Sequence, residues 1–503
     1  MMQRVIGNRN APISDGLGQL AGLLCWLAAL GLAPHVCAAA AEAPGVVDVP
    51  CPPGSIEVAP GTSIQSASDV AGDNASICLK NGTHRMQVVR PRQGQSFHGE
   101  ERTILNGSRM LTTFGRDDKY WVANVQMRRH RRHGECAPAY PTCDMPDGFF
   151  IDDKPLTQVL SRNSVKAGFF YIDPTSGKIY FADDPTRRKV EVTAAVFAFG
   201  GNASNVLIRN IIVEKYANPA QSGAIHAMNA AGWTIENVEA RWNSGAGIAL
   251  GSGGRVHASD VHHNGQIGIV GEGRNIEIDG NRIWGNNTRG FDFTWEAGGV
   301  KIGRSDGVTM RNNQAFDNIG PGLWCDIECR NVLYERNVVE RNHDAGIFHE
   351  ISYSAIIRDN VARHNGVGER KWFWGADIQV AASQDVQVYR NSVTVRPEGC
   401  GIVLIDQSRA MESGQKYKTR RNTVRENDMT FEGGACAGGV SDAKPGDENY
   451  AIIADGNNRF DANIYRVPKA STAKHRFVFG HAVLDWDGWH KIGLELNGRL
   501  VTY

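Results

Sequence analysis

The chain has 503 residues, with 54 Lys+Arg against 54 Asp+Glu, so its formal charge is zero and its charge balance gives no argument for a nucleic-acid partner. Its 57 glycines make it rich in turns. A chain of this length ordinarily implies about three domains, but repeat solenoids escape that expectation because they grow in one dimension.

The N-terminus reads as an address. Arg4 and Arg9 precede an apolar run from Leu20 to Leu32, and Ala38 to Ala41 supply small residues for cleavage, so residues 1–41 are expected to be a secretory signal peptide. Cys25 follows Leu24 and Cys37 follows Val36, whereas a lipid-attachment cysteine needs a small residue before it. No later stretch is long and apolar enough to be a transmembrane segment. A secreted or periplasmic protein is therefore expected. Eight cysteines remain, and an even count in an exported chain suggests disulfides between sequence neighbours: Cys51 with Cys78, Cys136 with Cys143, Cys325 with Cys329, Cys400 with Cys436. For Cys325 and Cys329 a metal site is the alternative, although zinc pairs are usually spaced more closely and no second pair lies nearby.

Residues 46 to about 107 look like the opening of a solenoid, with Pro60-Gly61-Thr62-Ser63-Ile64-Gln65, Ile77-Cys78-Leu79 and Thr103-Ile104-Leu105 as short strands between Gly or Asn turns. Residues 108–195 break the rhythm: Phe149-Phe150-Ile151, Phe169-Phe170-Tyr171-Ile172 and Lys178-Ile179-Tyr180-Phe181 suggest inserted hairpins. The basic run Arg128 to His133 inside that insertion is either a solvated loop or a patch gripping an anionic polymer.

From Asn205 to about Ser408 a repeat is plain. Asn210, Asn237, Asp260, Asn281, Asn313, Asn337, Asn360 and Asn391 mark successive coils, with steps of 23, 24 and 23 residues at 237–260, 313–337 and 337–360. The steps 281–313 and 360–391 are 32 and 31 residues, so two coils carry an insertion. A strand-like period in the twenties predicts stacked coils around a continuous core. The Asn or Asp at each corner would accept a left-handed backbone, and stacked amides would ladder along the axis. The β-helix is placed at 46–465. The aromatic segment 466–503, with Phe477, Phe479, Trp486 and Trp489, is placed as its C-terminal cap.

The phrases Asn331-Val332-Leu333-Tyr334-Glu335-Arg336-Asn337 and Asn342-His343-Asp344-Ala345-Gly346-Ile347 resemble the repeats of right-handed parallel β-helix proteins of the pectate-lyase-like superfamily. The resemblance covers most of the mature chain. It implies an all-β, carbohydrate-facing solenoid, and that superfamily includes polysaccharide lyases, glycoside hydrolases, uronan epimerases and phage tailspikes. The Asp-Pro-His pattern associated with alginate epimerases is absent.

The repeats align on a Gly, as in Gly299-Val300-Lys301, Gly322-Leu323-Trp324-Cys325-Asp326, Gly346-Ile347-Phe348-His349-Glu350 and Gly375-Ala376-Asp377-Ile378-Gln379. The residue after Gly points inward and the second and fourth point outward. That places Lys301, Trp324, Asp326, Phe348, Glu350, Asp377 and Gln379 on one strip, with the Trp295-Glu296 stretch and Lys371-Trp372-Phe373-Trp374 in the two long coils beside it. His349 is turned inward, and a slip of one residue would put it in place of Glu350.

Strands about 4.8 Å apart set Asp326 beside Glu350, and two carboxylates so close cannot both ionise freely. One becomes a proton donor beside an anion, as glycosidic cleavage requires. Three readings follow. The first is a glycoside hydrolase of an extracellular polysaccharide, with Asp326 and Glu350 as acid and base or nucleophile, and Trp324, Phe348, Asp377, Gln379, Trp295 and Glu296 binding substrate. The second is a polysaccharide lyase or uronan epimerase with Lys301 as base and calcium on the acids. The third is a glycan-binding surface protein using the aromatic strip alone. Outward charges can also be solvated rungs, with Lys301 neutralising Asp326, and the aromatics can be packing under the inserted loops.

Overall fold

The computed structural model describes residues 50–125, 132–368, 372–469 and 475–503. The expected signal peptide, most of the basic run at 128–133 and Lys371 lie outside these residues.

Each coil of the solenoid is three short strands joined by turns. One coil is Leu323–Asp326, Arg330–Glu335 and Val338–Glu340, and the next is Ile347–Glu350, Tyr353–Arg358 and Val361–Arg363. Equivalent strands pair in parallel, with Leu323 opposite Ile347, Val332 opposite Ala355 and Val338 opposite Val361. Stacking gives one 23-stranded sheet, which turns a corner because Ile267–Asp279 and Gly298–Arg311 run through it, and one 13-stranded sheet. The inward residues, among them Ile248, Ile269, Val300, Leu323, Ile347, Ile378 and Ile402, form a single core along the axis. Among the described residues, no helix is long and apolar enough to cross a membrane.

Two buried amide ladders run along the corners. In one, the side-chain amide of Asn281 donates to Asn313, Asn313 to Asn337, Asn337 to Asn360, Asn360 to Asn391, Asn391 to Asn427 and Asn427 to Asn463. In the other, Asn243 donates to Asn264, Asn264 to Asn286, Asn286 to Asn318, Asn318 to Asn342 and Asn342 to Asn365. Each amide gives one hydrogen to the next coil and one to a carbonyl, so the final donor needs an acceptor, and a carboxylate supplies it. Glu495 ends the first ladder at 2.6 Å and Asp377 ends the second at 2.7 Å.

The corners differ from the sequence expectation in two respects. In the later coils the left-handed residue is the one before the ladder amide, namely Asn312, Arg336, Asp359 and Arg390 with φ of 56°, 53°, 56° and 53°. In the coil marked by Asp260 the ladder position belongs to Ser259, whose hydroxyl accepts from the Val238 amide.

Residues Ser108–Thr193 contribute an eight-stranded, largely antiparallel sheet with its own apolar centre around Phe149, Phe170 and Phe181. It is tied to the solenoid by buried Lys215, which bonds Glu191 and Asp153. The expected strand around Ile64 is instead a helix, Ile64–Ala71, because the Ser63 hydroxyl caps it by accepting from the Ser66 amide at 3.1 Å. Its Ile64 joins the solenoid core. At the other end Phe477, Trp489 and Tyr465 pack together, and Arg499–Thr502 pairs with Ile464–Val467 as a last rung.

Candidate active site

The strands that carry the site residues are held in exact register by the ladders. "Lys301, Trp324, Phe348 and Gln379" fall opposite one another on successive strands. Asp326 ends its strand two residues after Trp324, and Glu350 ends the next strand two residues after Phe348, so both carboxylates share the adjacent column. The strand stops at Asp326 because Ile327 and Glu328 take left-handed φ of 53° and 59°, a turn that brings the Cys325 and Cys329 Cα atoms to 6.2 Å and permits their disulfide. Cys51–Cys78, Cys136–Cys143 and Cys400–Cys436 are bonded as well.

Lys301 Nζ lies 2.9 Å from Asp326 Oδ2 and 3.7 Å from Glu296 Oε2. The other Asp326 oxygen accepts from the Ile327 amide at 2.8 Å. Glu296 arrives on a one-turn helix, Phe293–Glu296, capped by Asp292, and also accepts from the Gln221 side-chain amide. The Trp295 carbonyl stands 3.5 Å from Lys301 Nζ, while its ring packs on Phe291 and against His133 of the insertion.

Glu350 has a different setting. Its Oε1 accepts from Arg409 Nη1 at 2.9 Å and from Gln407 Nε2 at 3.1 Å. Burial and then the Asp326 charge push its carboxyl up to about 7, with Arg409 opposing the rise. Arg409 and Gln407 were not singled out in the sequence, since both lie where the repeat fades and no spacing rule leads to them.

Several expectations are corrected by burial and register. Trp324 and Phe348 are each only 3% exposed and lie flat on one another, with centroids 5.4 Å apart and planes 10° apart. Lys301 Nζ sits 4.0 Å from the Trp324 centroid, so the faces meant for sugar rings are occupied. The pair packs with Phe373 and the Cys400–Cys436 bridge beneath the second long coil. The Trp324 indole N–H is buried without a hydrogen-bond partner among the described residues.

Asp377 does not line the site. The insertion before it shifts the Gly landmark by two residues: Ile378, not Ala376, pairs with Ile347, and Asp377 turns to Asn365 to end the ladder. The same shift moves Gln379, expected beside Glu350, to the position opposite Phe348, where it is fully buried and accepts from the Gly375 amide. His349 points inward, 3.3 Å from the Tyr334 hydroxyl, and burial pushes it down to about 3.

Asp326, Glu350 and Lys301 are 5%, 5% and 6% exposed, so the pair lies under its covering loops. Beside it, starting at Ile327 and Glu328, runs an open groove of about 700 Å³. Arg274, Arg304 and Arg330 line it together with Glu272, Asp306, Glu328 and Glu412, so neither sign of charge dominates. Calcium does not fit the acids well, since it needs six to eight oxygens and an ammonium already stands between Asp326 and Glu296.

The architecture is that of a right-handed parallel β-helix, and residues 222–393 match the family model for a right handed beta helix region. Among solved structures, the complex of XylC with xylose is similar with a TM-score of 0.64 and 14% identity, covering 84% of this chain and 86% of that one. The A-module of the Azotobacter vinelandii mannuronan C-5 epimerase AlgE6 gives 0.48 and 15%, covering 88% and 94%. No curated protein matches the chain in sequence.

Proposed function

We propose that the protein is a secreted glycoside hydrolase acting on an extracellular polysaccharide, with Glu350 as proton donor and Asp326 as its carboxylate partner. One observation carries this reading. Two carboxylates in one column, one coil apart, are both buried and each paired with a cation, Asp326 with Lys301 and Glu350 with Arg409, and burial and the Asp326 charge still raise Glu350 to about 7, so that it carries a proton part of the time near neutrality. A strand spacing of about 4.8 Å matches the separation of about 5 Å used by retaining enzymes, in which Asp326 would attack the anomeric carbon. Glu350 would protonate the leaving oxygen, then take a proton from the incoming water.

Lys301 is a poor base for a lyase or epimerase, because it is engaged by two carboxylates. The depth of the pair supports a glycan-binding role without catalysis as the second reading, since a polymer reaches it only if the loops over it move. The test is incubation of the mature protein with neutral and acidic polysaccharides, with and without chelator, followed by mass analysis. A hydrolase adds water at each cut. Unsaturated ends would establish a lyase, unchanged mass with altered sugars an epimerase, and an untouched polymer a binding protein.

A further inference from the structure

One loop of the insertion reaches the carboxylate site. It runs from Arg132 to Asp144 and is closed on itself by the Cys136–Cys143 disulfide and by the Arg132 guanidinium, which donates to Asp144 at 2.7 Å. The loop pairs with the first long coil: Cys136 bridges Phe291, the Asp292 amide donates to the Glu135 carbonyl at 2.9 Å, and the Ala137 amide to the Gly290 carbonyl at 3.0 Å. Gly134 passes so close to that coil that a Cβ there would stand 2.8 Å from the Phe291 ring and 2.9 Å from Trp295.

This contact sets exposed His133 at the head of a hydrogen-bonded chain. Its Nε2 lies 2.6 Å from Gln221 Oε1, and the Gln221 side-chain nitrogen donates to Glu296 Oε2. A carboxylate only accepts, so the Gln221 nitrogen must face Glu296, its oxygen must face His133, and His133 is the donor. Gln266, fully buried, braces the same residues from below: its oxygen accepts from the Gln221 backbone amide at 2.6 Å and its nitrogen donates to the Glu296 carbonyl at 2.8 Å. Two glutamines thus fix both the carboxylate and the backbone of Glu296, 3.7 Å from Lys301 Nζ.

Glu296 matters most in one step. When Asp326 attacks the anomeric carbon, its carboxylate becomes a neutral glycosyl ester, the bond to the leaving oxygen breaks, and that oxygen takes the Glu350 proton. Lys301, still buried, then loses the charge of its partner at 2.9 Å. A buried ammonium without a counter-charge is costly, and Glu296 is the carboxylate that remains beside it.

We propose that Glu296 is the counter-ion that keeps Lys301 paired while Asp326 is esterified, and that His133 and Gln221 are the positioning residues through which the inserted loop holds it there. The inference rests on the cleavage reading with Asp326 as nucleophile.

The test is kcat and KM for the mature protein on a polysaccharide that it cuts. His133→Ala should lower kcat about ten-fold with KM changed by less than about two-fold. His133→Gln, whose side-chain amide again donates to Gln221, should restore it. Gln221→Glu is isosteric and keeps the bond from His133 but sets a carboxylate against Glu296, so kcat should fall about 10²-fold. In a Glu296→Gln background His133→Ala should cost nothing further, because the two act as one unit. Thermal melts report folding, and the exposed His133 keeps the test decisive if Gln221→Glu does not fold. Parent kcat in His133→Ala, a His133→Gln variant no better than His133→Ala, or losses that multiply in the double variant would each overturn the proposal. A parent that cuts nothing, or an Asp326→Asn variant that cuts as the parent does, overturns the cleavage reading and this inference together. If the parent cuts, Asp326→Asn does not, and the His133 and Gln221 variants keep the parent's kcat, this inference alone fails.

Discussion

Arg409 reaches back 59 residues to place its guanidinium 2.9 Å from the Glu350 carboxylate. It does so from a short hairpin in which Ala410 bridges Lys416, and whose base is tied down by Ser408 and Lys416 to Asp447. The same hairpin brings Gln407 to Glu350 and Tyr417 to Glu328. It therefore sits at the junction of the buried pair and the open groove, and its arginine counters the forces that raise Glu350.

Glu350→Gln and Asp326→Asn should each lower cleavage of a polysaccharide that the parent cuts by about 10²-fold or more, since each removes a proton-transfer or nucleophilic group while keeping its shape. Reducing-end release measures this, with circular dichroism confirming the fold. Full activity in both variants would place the chemistry elsewhere.

A general acid must carry its proton, so activity should fall as pH rises through about 7, the value to which Glu350 is pushed. Arg409 lowers that value. Arg409→Met should therefore move the alkaline limb of the kcat/KM profile to higher pH. A limb that stays put, or moves to lower pH, would remove Glu350 from the role of acid.

Burial pushes the Asp377 carboxyl up to about 7, against the hydrogen bonds from Asn365. Its folded value lies above the unfolded one of about 3.9, so its contribution to stability is present below about 4 and is lost as pH rises through about 7. Asp377→Asn keeps an oxygen for Asn365 and removes the charge. The variant's Tm should fall less than the parent's between pH 5 and pH 8. Parallel Tm profiles would show that Asp377 does not titrate in this window.

Asn337 donates to Asn360 and to the Met310 carbonyl and accepts from both the amide and the side chain of Asn313, all inside the core wall. At about 1 kcal/mol for each of these bonds, and more for partners left buried and unsatisfied, Asn337→Ala should cost about 4 kcal/mol or more. Denaturant unfolding followed by fluorescence measures it. A cost below about 1 kcal/mol would mean the ladder contributes little.

The sequence by itself determined the coil, the four cysteine pairs and two adjacent columns, Lys301, Trp324 and Phe348 in one and Asp326 and Glu350 in the next. The reason is that parallel strands stacked in register convert a repeat of fixed length into side-by-side residues, and strand alternation then sorts them into inward and outward. Tertiary structure alone decided the rest. The insertion before Asp377 uncoupled chain spacing from coil position, so a Gly that matched in sequence was out of step in space and Asp377 became the end of a ladder. Ring stacking closed the faces of Trp324 and Phe348, which spacing cannot reveal because it says which side a residue faces and not what covers it. Gln407 and Arg409 came to Glu350 on a loop whose path depends on contacts distant in sequence, and both oppose the rise that burial and Asp326 impose on it.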